Sequence, residues 1–164
     1  MPNSVLRPAV PADRAGFLAM ALRSWLDAYA TLLAPEVVAG APAMLERAFD
    51  KRWWELRVAV SDQAVLGFYS LGAADDPSHR NYLWHLYVDP EFHRRGVGRA
   101  LNAAALAEIA GRGETTAWLD VLVANERARA FYRALGWREA RVETSDDYDL
   151  VILECDVPAP AAGG

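Results

Sequence analysis

Apolar and polar residues recur along the chain with two periods, which predict short strands and amphipathic helices. After Pro11-Ala12-Asp13, apolar side chains return every three or four positions as far as Ala30, the period of a helix with one buried face. Runs rich in β-branched and aromatic residues, bounded by turn residues, predict strands. The predicted strands are Ser4–Val10, Arg57–Val60, Ala64–Leu71, Tyr82–Val88, Thr115–Val123, Trp137–Val142 and Tyr148–Val157. The predicted helices are Pro11–Ala30, Pro35–Phe49, one from Val97 to about Gly111, and one from Asn125 to Gly136.

This order of elements, β-α-α-β-β-β-α-β-α-β-β, predicts an α/β fold with a mixed, mostly antiparallel central sheet flanked by helices. The sequence contains no internal repeat and no linker long enough to separate two domains, so we expect one domain over residues 1–157. Residues 158–164 are only proline, alanine and glycine, and we expect them to form a flexible tail.

Composition narrows the class of protein. Of the 164 residues, 53% are hydrophobic and 24% are charged, as in globular domains, and no apolar run approaches the roughly 20 residues of a membrane helix. The N-terminal sequence does not have the pattern of a secretory signal. The single Cys155 excludes an internal disulfide and fits a reducing cytoplasm, and three scattered histidines predict no metal site. Because the net charge is −5, nucleic acid is not the expected partner.

A basic, glycine-containing turn follows the strand Tyr82–Val88, and it runs against the acidic background of the chain. Asp89-Pro90 ends the strand, and the turn carries three arginines and two glycines just before a predicted helix. These residues are Arg94, Arg95, Gly96, Gly98 and Arg99. Helix N-termini expose unpaired N–H groups with partial positive charge, and glycine lets an anion approach the backbone closely. The turn therefore predicts a pyrophosphate cradle, or else an ordinary connection with solvated arginines.

Two other phosphate-binding motifs do not fit this turn. A dinucleotide fingerprint needs a third glycine where Leu101 stands, and it needs an acidic residue about 20 positions further on in a matching strand. A P-loop needs a lysine after its last glycine, but the only lysine of the chain is Lys51.

The turn His93-Arg94-Arg95-Gly96-Val97-Gly98 resembles the acetyl-CoA signature of the GCN5-related N-acetyltransferases (GNAT), Gln/Arg-x-x-Gly-x-Gly/Ala. His93 is the one position that departs from the signature. A second segment, WLDVLVANERARAFYRALGW, is similar to the second motif of the same family. Its matching residues are Asn125, Ala128, Phe131, Tyr132, Gly136 and Trp137. The two motifs follow each other in the family's order, and the element order coincides with the family's fold.

The resemblance implies that acetyl-CoA is the cofactor and that an amine receives the acetyl group. Backbone amides near the end of the strand would hold the pantetheine and thioester, the basic turn would hold the pyrophosphate, and Asn125 would bind the pantetheine arm. The implied cofactor-binding residues are Leu86, Tyr87, Val88, His93, Arg94, Arg95, Gly96, Val97, Gly98, Arg99 and Asn125. Family members commonly pair, so a homodimer is possible.

Tyr132 is the candidate acid. By helical spacing it shares a face with Ala128, Phe131 and Leu135, so we expect it to point inward. A phenol with a reference pKa near 10 can donate a proton to a departing thiolate. The resemblance places Tyr132 beside the thioester sulfur. The alternative is a core tyrosine that is hydrogen-bonded to the backbone.

Two residues compete as the candidate base. Asp120 interrupts an apolar strand and shares a face with Trp118 and Leu122, and burial there would raise its pKa. The family's protein N-terminal acetyltransferases carry a glutamate base at this position. His85, on the strand before the turn, is the rival because its reference pKa suits proton abstraction. Structural roles remain open for both residues. Asp120 could form an ion pair or bind backbone, and His85 could be a structural strand residue whose ring nitrogens have hydrogen-bond partners.

The acceptor is the part that the sequence predicts least. Acidic and aromatic residues lie on the elements that shape the acceptor pocket in the family, and they suit a cationic amine. They are Trp25, Asp27, Tyr29, Asp75, Asp76, Asp146, Asp147 and Asp149. We expect direct transfer to a small primary amine in a ternary complex, since Cys155 lies in an apolar core strand and is expected to be inert. The alternatives are a peptide N-terminus or lysine as acceptor, and a non-catalytic acyl-CoA-binding module.

Overall fold

The computed structural model describes residues 4–62 and 64–159. It divides into two compact units. Unit 1 comprises Met1–Ser70 and His85–Asn102, and unit 2 comprises Leu71–Trp84 and Ala103–Gly164. Each unit is described by itself. The expected tail, residues 158–164, lies outside the described residues from position 160 onward, and its flexibility stays a prediction, as does the single domain.

The elements follow the predicted order. The strands are β1 (Val5–Pro8), β2 (Leu56–Ser61), β3 (Ala64–Leu71), β4 (Leu83–Val88), β5 (Thr116–Leu122), β6 (Arg138–Thr144) and β7 (Asp149–Asp156). The helices are α1 (Arg14–Tyr29), α2 (Pro35–Arg52), α3 (Val97–Gly111) and α4 (Glu126–Ala134). Residues Pro11–Asp13 form a short 3-10 turn before α1 rather than its first turn, and α2 continues beyond the predicted end at Phe49.

The strands form two sheets rather than one continuous sheet. The four-stranded sheet has the order β1-β2-β3-β4, and the three-stranded sheet has the order β5-β7-β6. The registers of β1 with β2, β2 with β3, β5 with β7 and β6 with β7 are antiparallel, as the sequence predicts. Within unit 2, an isolated parallel bridge joins Tyr82 to Trp118.

The core of unit 1 lies between the first two helices and the sheet. Phe17 of α1 lies 5.0 Å from the ring of Phe49 and 4.7 Å from the ring of Phe68, measured between centroids. Met20 and Ala21 follow on the same face of α1 and are buried. The three- and four-residue spacing of apolar positions therefore identifies the buried face of this helix correctly.

The core of unit 2 contains alternate residues of β5 and the consecutive residues Val151, Ile152 and Leu153 of β7. Ala117, Leu119 and Val121 of β5 are buried, while every residue of β6 is exposed. Cys155 of β7 is buried as predicted, and burial raises the pKa of its thiol. A thiol of raised pKa carries less thiolate, which is the reactive form, so this position favours an inert cysteine.

Candidate active site

A buried aspartate, Asp89, directly follows strand β4. Asp89 is 1% exposed, and its backbone N–H donates to the carbonyl of Leu66 at 2.8 Å. Its carboxylate accepts the backbone N–H of Glu91 at 3.1 Å and forms an ion pair with Arg23 of α1. A buried carboxylate needs both kinds of partner to offset its lost hydration. The start of the basic turn is therefore fixed by α1 as well as by the sheet.

The basic turn has the backbone of an anion cradle. Arg94 has a φ of 60° and Gly96 a φ of 83°, two left-handed positions that reverse the chain before α3 begins at Val97. Open space surrounds the position that a Cβ on Gly96 would occupy. The first N–H groups of any helix lack intrahelical acceptors, and here the arginines beside them are exposed. This arrangement fits the pyrophosphate role that the sequence predicts, although the role of each residue stays a prediction.

His93, the position that departs from the signature, contacts the end of β4. Its Nε2 lies 3.2 Å from the carbonyl oxygen of Val88, to which Ser24 of α1 also donates its hydroxyl at 3.0 Å. The imidazole therefore helps to hold the turn against the strand end. Its contact with the cofactor stays a prediction.

Asn125 caps helix α4, as its position in the sequence predicts. Its side-chain oxygen accepts the backbone N–H of Ala128 at 3.1 Å, and the residue is buried. An N-cap of this kind stabilises a helix by about 1 kcal/mol. The proposed contact of Asn125 with pantetheine remains a prediction.

Tyr132 points inward, as helical spacing predicts. It is 8% exposed, and its ring lies 5.1 Å from Phe131 and 5.7 Å from Trp137, both in edge-on orientations. The carbonyl of Tyr132 accepts the N–H of Trp137, and Gly136 between them has a φ of 92°. This closing turn ends the helix, and the ring contacts with Phe131 and Trp137 hold the Tyr132 ring.

The burial predicted for Asp120 is wrong. Asp120 does share a face of β5 with Trp118 and Leu122, but the buried face is the opposite one. Alternation along a strand shows which residues share a face, but it does not show which face the rest of the protein covers. The Asp120 carboxylate is exposed, and its Oδ1 accepts a hydrogen bond from the Tyr82 hydroxyl at 3.0 Å.

Tyr82 is a residue that the sequence did not single out. Burial, followed by the negative charge of Asp120, raises the pKa of the Tyr82 phenol far above its ordinary value. The phenol therefore keeps its proton at neutral pH and remains a hydrogen-bond donor. Only the aromatic character of Tyr82 was visible in the sequence, because its partner lies 38 positions further along the chain.

His85, the rival base, occupies a supported position on β4. Its Nδ1 lies 2.7 Å from the hydroxyl of Ser70, and its ring lies 6.3 Å from both Phe68 and Tyr87. The residue is exposed. This geometry agrees with a structural histidine whose hydrogen-bonding partner is Ser70, and its catalytic role stays a prediction.

The acidic and aromatic residues expected near the acceptor divide between the two units. In unit 1, Trp25 and Tyr29 of α1 lie 5.2 Å apart, and the Tyr87 hydroxyl lies 3.3 Å from that of Tyr29. In unit 2, the carboxylate of Asp76 binds His79 at 2.7 Å, and this hydrogen bond lowers the pKa of Asp76. Asp76 therefore helps to order its own loop.

Residues 4–62 and 64–159 contain no helix long and apolar enough to cross a membrane. The same residues contain no group of three or more His, Cys, Asp or Glu side chains placed to hold a metal ion.

Known proteins resemble this chain in both sequence and fold. The "[Ribosomal protein bS18]-alanine N-acetyltransferase" of Salmonella typhimurium is 43% identical over 92 residues, which are 56% of this chain and 60% of that protein. The mycothiol acetyltransferase of Kocuria rhizophila is 35% identical over 100 residues, 58% of this chain and 33% of that protein. The matched segments thus span 60% or less of these relatives' own length.

A solved structure and a family model extend the comparison. The PaiA N-acetyltransferase of Thermoplasma acidophilum, solved in complex with coenzyme A, superposes with a TM-score of 0.74 at 19% identity, covering 94% of this chain and 99% of that one. This likeness shows the fold. The model of the acetyltransferase (GNAT) family matches residues 20–137. The predicted family, fold class and cofactor are confirmed: this chain belongs to the GNAT acetyltransferase family, whose members use acetyl-CoA.

Proposed function

We propose that this chain is an acetyl-CoA-dependent N-acetyltransferase that moves the acetyl group directly to a primary amine. The observation that supports this most is the backbone of the basic turn. Two left-handed residues, Arg94 and Gly96, lead into the first N–H groups of α3, and the arginines beside them are exposed. Acetyl-CoA supplies an activated thioester, and the chain supplies the cradle and the proton transfers.

The residues of unit 2 suit the proton transfers. When the amine nitrogen bonds to the thioester carbon, the carbon–sulfur bond breaks and the sulfur leaves as thiolate. Tyr132 donates its phenolic proton to that thiolate, and Asp120 accepts a proton from the amine, directly or through water. Because aspartate is one methylene shorter than the glutamate of the family's protein N-terminal acetyltransferases, water mediation is the expected route for Asp120. His85 is the alternative base.

The acceptor is proposed to be a small amine. The aromatic group Trp25, Tyr29 and Tyr87 on α1 and β4 offers ring faces for an amine-bearing substrate. A peptide N-terminus is the second candidate, and the name of the Salmonella relative supports it. The name of the Kocuria relative refers to mycothiol, so the relatives favour acetyl transfer more clearly than they favour one acceptor.

A non-catalytic acyl-CoA-binding module is the alternative of another class. Such a module needs the cradle but has no need of a buried tyrosine on a capped helix, and Tyr132 and Asn125 are both present in that form. A homodimer and a cytoplasmic location also stay predictions.

A panel of small amines and N-terminal peptides, incubated with acetyl-CoA, tests the function. Release of free thiol together with an acetylated product, seen by mass spectrometry, is the expected result. The class that reacts fastest identifies the acceptor. Binding of acetyl-CoA with no thiol release on any amine or peptide would support the non-catalytic module instead.

A further inference from the structure

The Asp120 carboxylate is oriented by one side chain. The Tyr82 hydroxyl donates to Oδ1 at 3.0 Å, and among the described residues no other side chain donates to this carboxylate. Because Asp120 is exposed, packing does not fix its rotamer. The Tyr82 hydroxyl is therefore the group that decides where the second oxygen, Oδ2, points.

The backbone of Tyr82 is held from several sides. Its N–H donates to the carbonyl of His79 at 2.8 Å, and its carbonyl accepts the N–H of Gly72 at 2.9 Å. On its other side, Tyr82 forms the parallel bridge with Trp118 of β5. The Trp118 N–H donates to the carbonyl of Asn81 at 3.1 Å. A Cβ on Gly72 would lie 1.9 Å from the His79 carbonyl oxygen, so this close approach requires glycine.

The loop that carries Tyr82 is also fastened by an arginine. Arg112, just after α3, donates from Nη1 to the carbonyls of Gly72 at 2.8 Å and Arg80 at 2.6 Å. The Asn81 side chain donates to the carbonyl of Thr116 in β5 at 2.7 Å. The segment before β4 is therefore a rigid support for the Tyr82 side chain rather than a solvated connection.

The ring of Tyr82 has partners that do not depend on its hydroxyl. It lies 4.8 Å from the ring of Trp84, which is 44% exposed, and Trp84 lies 5.2 Å from His79. The charges that act on the Tyr82 phenol are Asp120, Glu143 and Arg141, and the last two form an ion pair with each other at 2.9 Å. Phenylalanine at this position keeps the ring contacts and removes only the donor.

We propose that Tyr82 is a positioning residue for acetyl transfer: its hydroxyl holds Oδ1 of Asp120 so that Oδ2 accepts the proton of the acceptor amine. Tyr82 does not exchange a proton itself, because burial and the neighbouring carboxylate raise its pKa. The inference rests on the proposed function, since it needs Asp120 to act as the base. It replaces burial, which the sequence suggested, with a hydrogen bond as the means of preparing that base.

Kinetics of three variants test the proposal, with the best amine of the panel as acceptor. Asp120→Asn is expected to lower kcat about 100-fold and Tyr82→Phe about 10-fold, with the KM for acetyl-CoA unchanged. The double variant should be no slower than Asp120→Asn alone, because Tyr82 acts only through that carboxylate.

Tyr69→Phe is the matched control, because it removes the hydroxyl of a buried tyrosine on β3 in unit 1. It should leave both kcat and the KM for acetyl-CoA in place. Turnover of Tyr82→Phe equal to that of the unsubstituted chain, or losses that multiply in the double variant, would overturn the positioning role alone. No acetyl transfer by the unsubstituted chain would overturn both the proposed function and this inference.

A measurement that does not depend on catalysis checks the hydrogen bond between Tyr82 and Asp120 itself. With a carbon-13 label on tyrosine Cζ, the Tyr82 resonance is assigned by its loss in Tyr82→Phe. Asp120→Asn should shift that resonance and leave those of Tyr29 and Tyr69 in place. A Tyr82 signal that does not respond to Asp120→Asn contradicts the hydrogen bond in solution, whatever the kinetics.

Discussion

Two regions of this chain reach their functional geometry by different means. The basic turn in unit 1, residues 93–99, is built from the backbone: positive φ at Arg94 and Gly96, and the first N–H groups of α3. The Tyr82–Asp120 pair in unit 2 is built from side chains that are 38 positions apart. The first depends on residues that are neighbours in the sequence, while the second depends on how a loop and a strand pair.

The difference shows which parts of a site local sequence can encode. A glycine-containing turn before a helix adopts much the same backbone in different proteins. Its ability to bind an anion can therefore be predicted from its own sequence. A carboxylate's behaviour depends on which face of its strand is covered and on what donates to it. Neither follows from the segment WLDVL, and this is why Asp120 was expected to be buried and is exposed.

Loss of the Tyr132 hydroxyl should have the largest effect of the variants below, equal to that of Asp120→Asn. Tyr132→Phe is expected to lower kcat about 100-fold, because the departing thiolate loses its proton donor, while the Kd for acetyl-CoA stays unchanged. Steady-state kinetics and calorimetry on the same preparation measure both quantities. If turnover is unchanged, Tyr132 has no part in the proton transfer; if affinity falls as much as turnover, its role is binding.

The ion pair between Arg23 and Asp89, which supports the basic turn, should have the next largest effect, on the free energy of unfolding. Arg23→Ala leaves the Asp89 carboxylate buried without its cation and is expected to lower the free energy of unfolding by about 2 kcal/mol, less than a fully buried pair because half of the Arg23 side chain is exposed. Urea unfolding measures the change. Arg14→Ala, which breaks the exposed pair with Asp50, is the matched control and should have no measurable effect.

Replacing Gly96 with alanine should have a smaller and more specific effect, because alanine is strained at a positive φ. Gly96 and Gly113 both have positive φ, 83° and 82°, and open space around the position of an added Cβ. Alanine at either position should cost about 1 kcal/mol of stability, since both must hold a left-handed backbone. Only Gly96→Ala should also weaken acetyl-CoA binding, by about 10-fold, because it shifts the amides of the cradle.

Equal affinities of the Gly96→Ala and Gly113→Ala variants would contradict the backbone cradle. Such a result would leave the exposed arginines as the source of any affinity. Arg94, Arg95 and Arg99 would then act as screened charges, and binding would fall steeply as salt is raised.

Local patterns predicted most of the fold, and long-range contacts account for what they missed. Periodicity located α1 and its buried face, and Asn125 and Gly136 marked the limits of α4 correctly. The ion pair of Arg23 with Asp89 joins residues 66 positions apart, and nothing near either residue indicates it. The division into two sheets also depends on pairing, which propensity along one strand does not specify.

Calorimetric titration of the unsubstituted chain with acetyl-CoA tests the central claim most directly. The account predicts saturable binding with one site per chain, weakened by Gly96→Ala and left intact by Gly113→Ala. Absence of any binding heat at millimolar acetyl-CoA would contradict the assignment of residues 93–99 as the cofactor cradle, and with it the proposed acetyl transfer.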